Sequence, residues 1–401
     1  MAPRLRPADA SELCDIVRAA VADGAALDLM GAGTKRGLGR PAEGEVLDLS
    51  RLSGVVSYEP DELVLRVRAA TPMAEIERLL AQSGQHLAFE PPDLAALWGE
   101  EAGRQTIGGV IACNLSGPRR FRAGAARDHL LGFAAVNGRG EAFKAGGHVV
   151  KNVTGYDLCK LMAGSHGTLA ALTEITVKAL PAPEESRTLV VSGLAIDAAV
   201  RAMAVAAGSP FETTGIAHLP ASRAGLAGLS SDTAATLVRC EGPEPALRAA
   251  TEALTRELGA FGTVTAFNGD TSRAVWRAVR DVAPLFPDRD RVLWRLSVAP
   301  AAAPAIVRDI EARFACAVAL DWAGGRLWIE PTEAGEDGGA DAVRRAAAPG
   351  HAVLVRAPAA LRSRIAPIDP GPPAARALAE RIKDSFDPRR VFGRGRMFAG
   401  V

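Results

Sequence analysis

Three glycine-centred stretches in the first half of the chain carry residue types able to hold a flat, phosphate-bearing ligand against bare backbone. In GAGTKRG, Gly31, Ala32 and Gly33 precede Thr34 and Lys35, so successive amides can curl into an anion nest while a hydroxyl and an ammonium add a donor and a charge. In TIGGVIACNLSGPRR, Thr106, Ile107 and the pair Gly108-Gly109 leave room for backbone to approach a phosphate, with Arg119, Arg120 and Arg122 nearby in sequence. In MAGSHGTLAALTEITVKAL, Gly164, Ser165, Gly167 and Thr168 run into a strand rich in β-branched residues, where a tight turn explains the glycines as well as a ligand does. Neither common nucleotide motif is met. GxxxxGK[ST] needs its lysine after the second of two widely spaced glycines, and GxGxxG must open a helix, whereas Gly31 and Gly33 lead to Gly37 without helical periodicity.

Side chains for proton transfer are few. His166, inside the third stretch, is the best-placed titratable group, and is equally readable as a loop histidine without a duty. Cys113 reads as a small packed residue. Lys151, Asn152, Tyr156 and Asp157 form a polar cluster in which Asp157 suits a helix cap. Arg119 and Arg120 could hold a phosphate, a substrate carboxylate, or acids of a partner.

Stepping outward, the elements around these residues are a helix from Ser11 to Asp23 closed by Gly24, strands at ALDLMG and EVLDLS, and a hairpin VVSYEPDELVLRVRAA turning at EPDE. A helix follows from Thr71-Pro72, with Met73, Ile76, Leu79 and Leu80 on one face. This α-β-β-β-β-α order excludes a simple βαβ repeat. A hairpin near Asn137-Gly138, a short helix from Tyr156 and a long strand to Leu180 complete the first part, and PAPEES reads as a linker. Beyond it, strands at TLVVSGL, TAATLVRC, GTVTAF, VLWRLSV, VALDW, RLWIEP and HAVLVR alternate with helical stretches, which predicts an α+β unit with an antiparallel sheet and helices on one face. PPAARALAERIKDSFDPRRVF predicts a last helix ending at Asp387-Pro388.

With 401 residues, 48% hydrophobic, and a formal net charge of +1, the chain can bury a sizeable core and offers no basic field for nucleic acid. Its first residues lack an apolar core of signal-peptide length, and no run reaches the roughly 18 apolar residues of a membrane helix. The expectation is a cytoplasmic protein whose membrane contact, if any, is peripheral or through a partner. Five cysteines without a CxxC pair and six scattered histidines exclude conventional iron-sulfur and zinc motifs, so no metal is expected.

Taken together, the three glycine stretches resemble the p-cresol methylhydroxylase/vanillyl-alcohol oxidase type of FAD-binding domain over about residues 5–180, and FDPRRVFGRGRM resembles the return of the chain to that domain. More narrowly, TIGGVIACNLSGPRR, ARDHLLG, VVKNVTGYDLCKLMAGSHGTLAALTEI and FDPRRVF resemble the FAD-binding E-subunit family of bacterial glycolate oxidase (glycolate dehydrogenase) complexes. The resemblance implies an α+β protein: a two-subdomain FAD-binding domain over 1–182, an α+β cap domain over 183–371, and a returning helix and tail over 372–401. It matches Gly31 to Lys35 to a first pyrophosphate loop, Thr106 to Gly109 to a second, and Gly164, Ser165, Gly167 and Thr168 to a third. Ile175 matches a position whose backbone faces the cofactor, and Pro91 and Pro92 a proline stretch running along it. The first loop has no histidine or cysteine, so FAD is expected to be non-covalent. Where relatives read NPG, Gly393-Arg394-Gly395 stands here, with Arg396 still able to reach the flavin.

The implied function is the FAD-binding subunit of a complex oxidising glycolate to glyoxylate. The second half offers only His218 and His351, not the paired histidines of metal-using hydroxy-acid oxidisers, which favours a role in electron transfer or assembly beside a catalytic FAD subunit; the missing cysteine motifs leave any iron-sulfur centres to a third subunit, as the resemblance implies. Two alternatives stay open: a self-sufficient FAD oxidoreductase of another small 2-hydroxy acid, and a cofactor-free scaffold.

Overall fold

The computed structural model describes residues 5–147, 156–369 and 371–399. The first helix, Ala10–Asp23, is capped by Asp9, whose carboxylate accepts from the Ser11 and Glu12 amides, and ends at Gly24 in the left-handed conformation (φ 68°). Strands are numbered in chain order. β1 (Leu27–Met30) and β2 (Glu45–Asp48) pair in parallel. β3 (Val55–Glu59), β4 (Val64–Arg68), β6 (Leu130–Asn137), β7 (Ala142–Gly146) and β8 (Ala170–Lys178) form an antiparallel sheet in the order β3-β4-β8-β6-β7. Between them β5 (Gln85–His86) pairs with β9 (Leu180–Pro181). The helix Met73–Ala81 buries Met73, Ile76 and Leu80 as its periodicity predicts.

The second half is an eight-stranded antiparallel sheet. It comprises β10 (Glu185–Ser192), β11 (Thr213–Leu219), β12 (Ala235–Gly242), β13 (Val264–Asn268), β14 (Leu293–Ser297), β15 (Cys316–Asp321), β16 (Arg326–Pro331) and β17 (His351–Arg356), in the order β13-β10-β12-β11-β15-β16-β14-β17. β11 (TTGIAHL) is absent from the sequence reading: all seven of its residues are buried, and Gly215 interrupts its apolar run. One face packs on the helices Ile196–Gly208, Glu244–Leu258, Ala303–Glu311 and Ala340–Ala347. The other face is covered too, contrary to the one-face expectation. Val190, Leu237 and Trp328 share a core with the helix Gly269–Asp281 and with the first sheet, so this sheet lies over the glycine stretches.

The last helix, Pro373–Phe386, returns the chain to the first sheet. Buried Lys383 donates to the Asp387 carboxylate (2.7 Å) and to the carbonyls of Thr168 (2.6 Å) and Phe392 (2.8 Å). Asp387 in turn accepts from the Val391 and Phe392 amides. Val391 and Phe392 then pack with Leu13, Leu27 and Leu47. Among the described residues no helix is long and apolar enough to cross a membrane.

Candidate active site

A cavity of about 960 Å³, counting its open mouth, is bounded by all three glycine stretches and the returning tail. The structure brings Gly31, Ala32, Gly33, Thr34, Lys35, Thr106, Gly108, Gly109, Ser165, His166 and Gly167 to its wall, with Cys113, Gly393 and Arg396. Pro91 and Pro92, Ile107, Gly164, Thr168 and Ile175 lie outside the lining. Ile175 is fully buried in β8 between Val67 and Phe133, and Ile107 is equally buried. Thr168 donates to Ser165 O at 2.7 Å and anchors Lys383 through its carbonyl.

Three stretches alike in composition differ in what their amides do. Among the described residues the Gly31 to Lys35 amides donate no hydrogen bond, and Gly33 takes φ 77°. Among the described residues the one hydrogen bond of the Lys35 ammonium is to the Thr34 hydroxyl, at 3.4 Å. Burial pushes the Lys35 ammonium pKa down, against weaker opposing effects from Cys113 and Asp93. This is a nest of free amides with a buried ammonium beside it.

The second stretch corrects the loop expectation. Thr106 caps a short helix, Ile107–Ala112, with its hydroxyl on the Gly109 amide. The Ile107 and Gly108 amides are bound to Thr71 O and Ala69 O. It offers glycine surface, not free donors. A Cβ on Gly108 would lie 2.7 Å from Ala69 O, whereas one on Gly109 would meet only the Lys35 and Thr106 side chains at 3.5 Å and would stand in the cavity. The third stretch is stitched to this helix: the Gly164 amide donates to Ile111 O and the His166 amide to Ala112 O.

At that junction the His166 Nδ1 is 3.8 Å from the Cys113 Sγ. His166 takes φ 53°. Its pKa falls to about 3, first from burial and then from Arg396 and Arg295. Burial raises the Cys113 thiol. At neutral pH this is a neutral imidazole beside a neutral thiol, a weak base and no thiolate.

Two charged residues escaped the sequence reading. Asp28, 3% exposed, pairs with Arg36 (2.8 Å) and Arg396 (3.6 Å) at the cavity edge; its signal was an acid within the apolar strand ALDLM. Arg295 acts on both His166 and Cys113 from β14. Arg119 pairs with Glu90 (2.9 Å) and Glu241 (2.6 Å) of this same chain, and Arg120 stacks 4.3 Å from the Trp322 ring. Asp157 caps the helix Leu158–Met162. Tyr156 is 93% exposed, and Lys151 and Asn152 lie outside the described residues.

Free amides, an unpaired ammonium and a glycine floor fit a bound pyrophosphate. An FAD binding domain family matches residues 2–146. Across nearly the whole chain the protein is similar to glycolate oxidase subunit GlcE of Escherichia coli (strain K12): 34% identity over 396 residues, 98% of this chain and 99% of that one. Glycolate oxidase subunit GlcD of Bacillus subtilis (strain 168) is 33% identical over 162 residues, 40% of this chain and 33% of its own. The solved structure of p-cresol methylhydroxylase with substrate bound superposes with a TM-score of 0.72 at 13% identity, covering 98% of this chain and 88% of that one. That likeness shows the fold. Identity sustained over both full lengths shows more: the chain belongs to the glycolate oxidase subunit GlcE family and is an FAD-dependent oxidoreductase.

Proposed function

We propose that this chain is the FAD-carrying subunit of a complex that oxidises glycolate to glyoxylate, passing electrons beside a catalytic flavoprotein subunit and an iron-sulfur subunit. The single observation that carries the reading is the full-length similarity to glycolate oxidase subunit GlcE. The cavity supports it. Gly31 to Lys35 would hold the pyrophosphate, with Gly109 and Gly167 as flat surface against the cofactor and Arg396 closing the edge. The flavin supplies hydride and single-electron chemistry when bound. Residues 1–182 would form the FAD-binding domain, 183–371 the covering domain and 372–401 the return. FAD would be non-covalent, since the nest holds no histidine or cysteine. Assembly with its partners would put the protein in the cytoplasm or at the inner face of the membrane.

The weak basicity of His166 favours placing hydroxyl-proton abstraction on the sister subunit. The test is an absorption spectrum of the purified chain before and after acid precipitation, alone and co-expressed with the candidate partners. Flavin released into the supernatant, with glycolate bleaching only in the co-expressed sample, is the expected result. A colourless chain in both preparations overturns the reading, and bleaching of the isolated chain by glycolate overturns the division of labour.

A further inference from the structure

A second cavity, about 1140 Å³ counting its open mouth, lies where the first half of the chain meets the second, and it shares no lining residue with the cavity of the glycine stretches. One wall is the helix Met73–Ala81, which presents Glu77 one turn beyond Met73. Gln105 is fixed beside the start of that helix, because its carbonyl accepts from the Met73 amide at 2.9 Å. The facing wall is the end of the helix Gly269–Asp281 and the turn after it, which contribute Asp281, Ala283, Pro284 and Phe286.

The polar groups of this cavity divide into those already engaged and those that are not. Arg280 donates to both carboxylate oxygens of Asp281, at 2.8 and 2.9 Å, and Asp281 also accepts from the Asp93 amide at 2.9 Å. The Asp93 carboxylate accepts from the amides of Ala95 (3.1 Å) and Gly103 (2.6 Å). Gln105, by contrast, is 4% exposed and buries its Oε1 with no hydrogen-bond partner among the described residues. Glu77 stands at the mouth. Burial raises its carboxyl pKa, the Asp281 and Asp93 charges add to the rise, and the one cation opposing them is Arg280, which Asp281 already engages. The remaining cation of the lining, Arg289, lies over Gly99 on the other side, its Nη1 3.2 Å from where a Cβ on that glycine would stand.

A buried acceptor without a donor is costly, and a carboxylate on the same wall asks for a donor that carries positive charge. Among the described residues no three acidic, histidine or cysteine side chains converge as a metal ion requires. The apolar surface of Met73, Pro284 and Phe286 asks instead for a cation with a hydrocarbon stem. We infer that this cavity binds a primary ammonium on an apolar stem, the ammonium donating to Glu77 and to Gln105 Oε1 and the stem lying against those three residues. The same chemistry comes as a free alkylamine or as a lysine side chain of a partner protein. The inference does not depend on the flavin reading.

The experiment is a ligand-observed NMR titration of the full chain with butylammonium chloride, which reproduces the end of a lysine side chain, against sodium butyrate. Butylammonium should bind saturably and butyrate should not. Glu77→Gln and Gln105→Leu should each weaken butylammonium by about tenfold, and exposed Glu43→Gln should leave it unchanged. If Gln105→Leu does not fold, Glu77→Gln carries the test, since it alters a carboxylate at the mouth and not the packed wall. Co-purification with the candidate partner subunits separates the two sources: their loss from Glu77→Gln assigns a partner lysine, and their retention assigns a free amine. No saturable binding by the folded chain, equal binding of butyrate, or unchanged affinity in Glu77→Gln overturns the inference.

Discussion

At the scale of single residues, two adjacent glycines separate packing from binding. Gly108 is held against Ala69 O, where an added Cβ would sit at 2.7 Å, while Gly109 faces the cavity with its nearest neighbours at 3.5 Å. Gly109→Val should therefore fold and lose flavin, and Gly108→Val should lose stability, by about 1–3 kcal/mol of overpacking. Denaturation midpoints and the flavin-to-protein absorbance ratio of both variants check this; full flavin occupancy in folded Gly109→Val would show that the second stretch does not touch the cofactor. Among the described residues Lys35 has no carboxylate within ion-pair distance, and it lines the cavity beside the nest. Lys35→Met should weaken FAD binding at least tenfold, in line with the 1.5–3 kcal/mol of a charge-assisted contact, with little effect on melting of the apoprotein. Apoprotein reconstituted by titration with FAD gives the number, and an unchanged Kd would move the pyrophosphate elsewhere. The glycine stretches were legible in the sequence because their spacing is local. Which amides are free was not: the acceptors that consume the Ile107 and Gly108 amides, Thr71 O and Ala69 O, lie more than thirty residues away.

At the scale of elements, β12 and β16 were legible although they too are almost wholly buried, while β11 was missed, its apolar run broken by a glycine. Its TTGIAHL holds Gly215, where a Cβ would stand 2.8 Å from the Trp276 ring, so the glycine is a packing requirement in the middle of a strand. The final helix was legible with its stop at Asp387-Pro388, yet its purpose sits in one residue whose identity argues for the surface. Lys383 is 2% exposed and ties Asp387, Thr168 and Phe392 together. Replacing it with methionine leaves the fully buried Asp387 carboxylate without its cation and should cost about 3–5 kcal/mol. Because residues 391–396 hang from that anchor and Arg396 lines the cavity, flavin affinity should fall with stability. Tight flavin retention by a destabilised Lys383→Met protein would show that the tail and the cofactor are independent.

At the scale of the whole molecule, the two sheets are joined by a buried ion network that no local pattern announces, since its members come from distant stretches. Glu90 and Arg119 of the first half meet Arg239 and Glu241 of β12. Burial pushes the Glu241 carboxyl up, but Arg239 and Arg119 outweigh it and hold its pKa at about 2. Beside this network, burial lowers His86 to about 4, and burial also holds His218 at about 4 and His166 at about 3. In the unfolded chain each histidine protonates near 6.5. Between roughly pH 6.5 and 4 the unfolded state therefore binds up to three more protons than the folded one at these three histidines, and His129, also lowered by burial, adds to the same difference. The histidine contribution is complete above pH 6.5 and is lost as the pH falls, at about 1.4 kcal/mol per pH unit for each fully titrating histidine. The Glu241 contribution falls away only lower, from about 4.5 towards 2, so the two can be separated by pH. Urea denaturation at pH 7.5, 6.5, 5.5 and 5.0 should show stability nearly level from pH 7.5 to 6.5 and declining below it. His218→Gln, which removes a histidine whose Nδ1 lies 3.0 Å from Thr236 Oγ1, should flatten the slope by about one proton relative to the parent protein. A parent profile level from pH 7.5 to 5.0 would mean that these histidines charge without unfolding, and that the covering sheet is wetter than its packing implies.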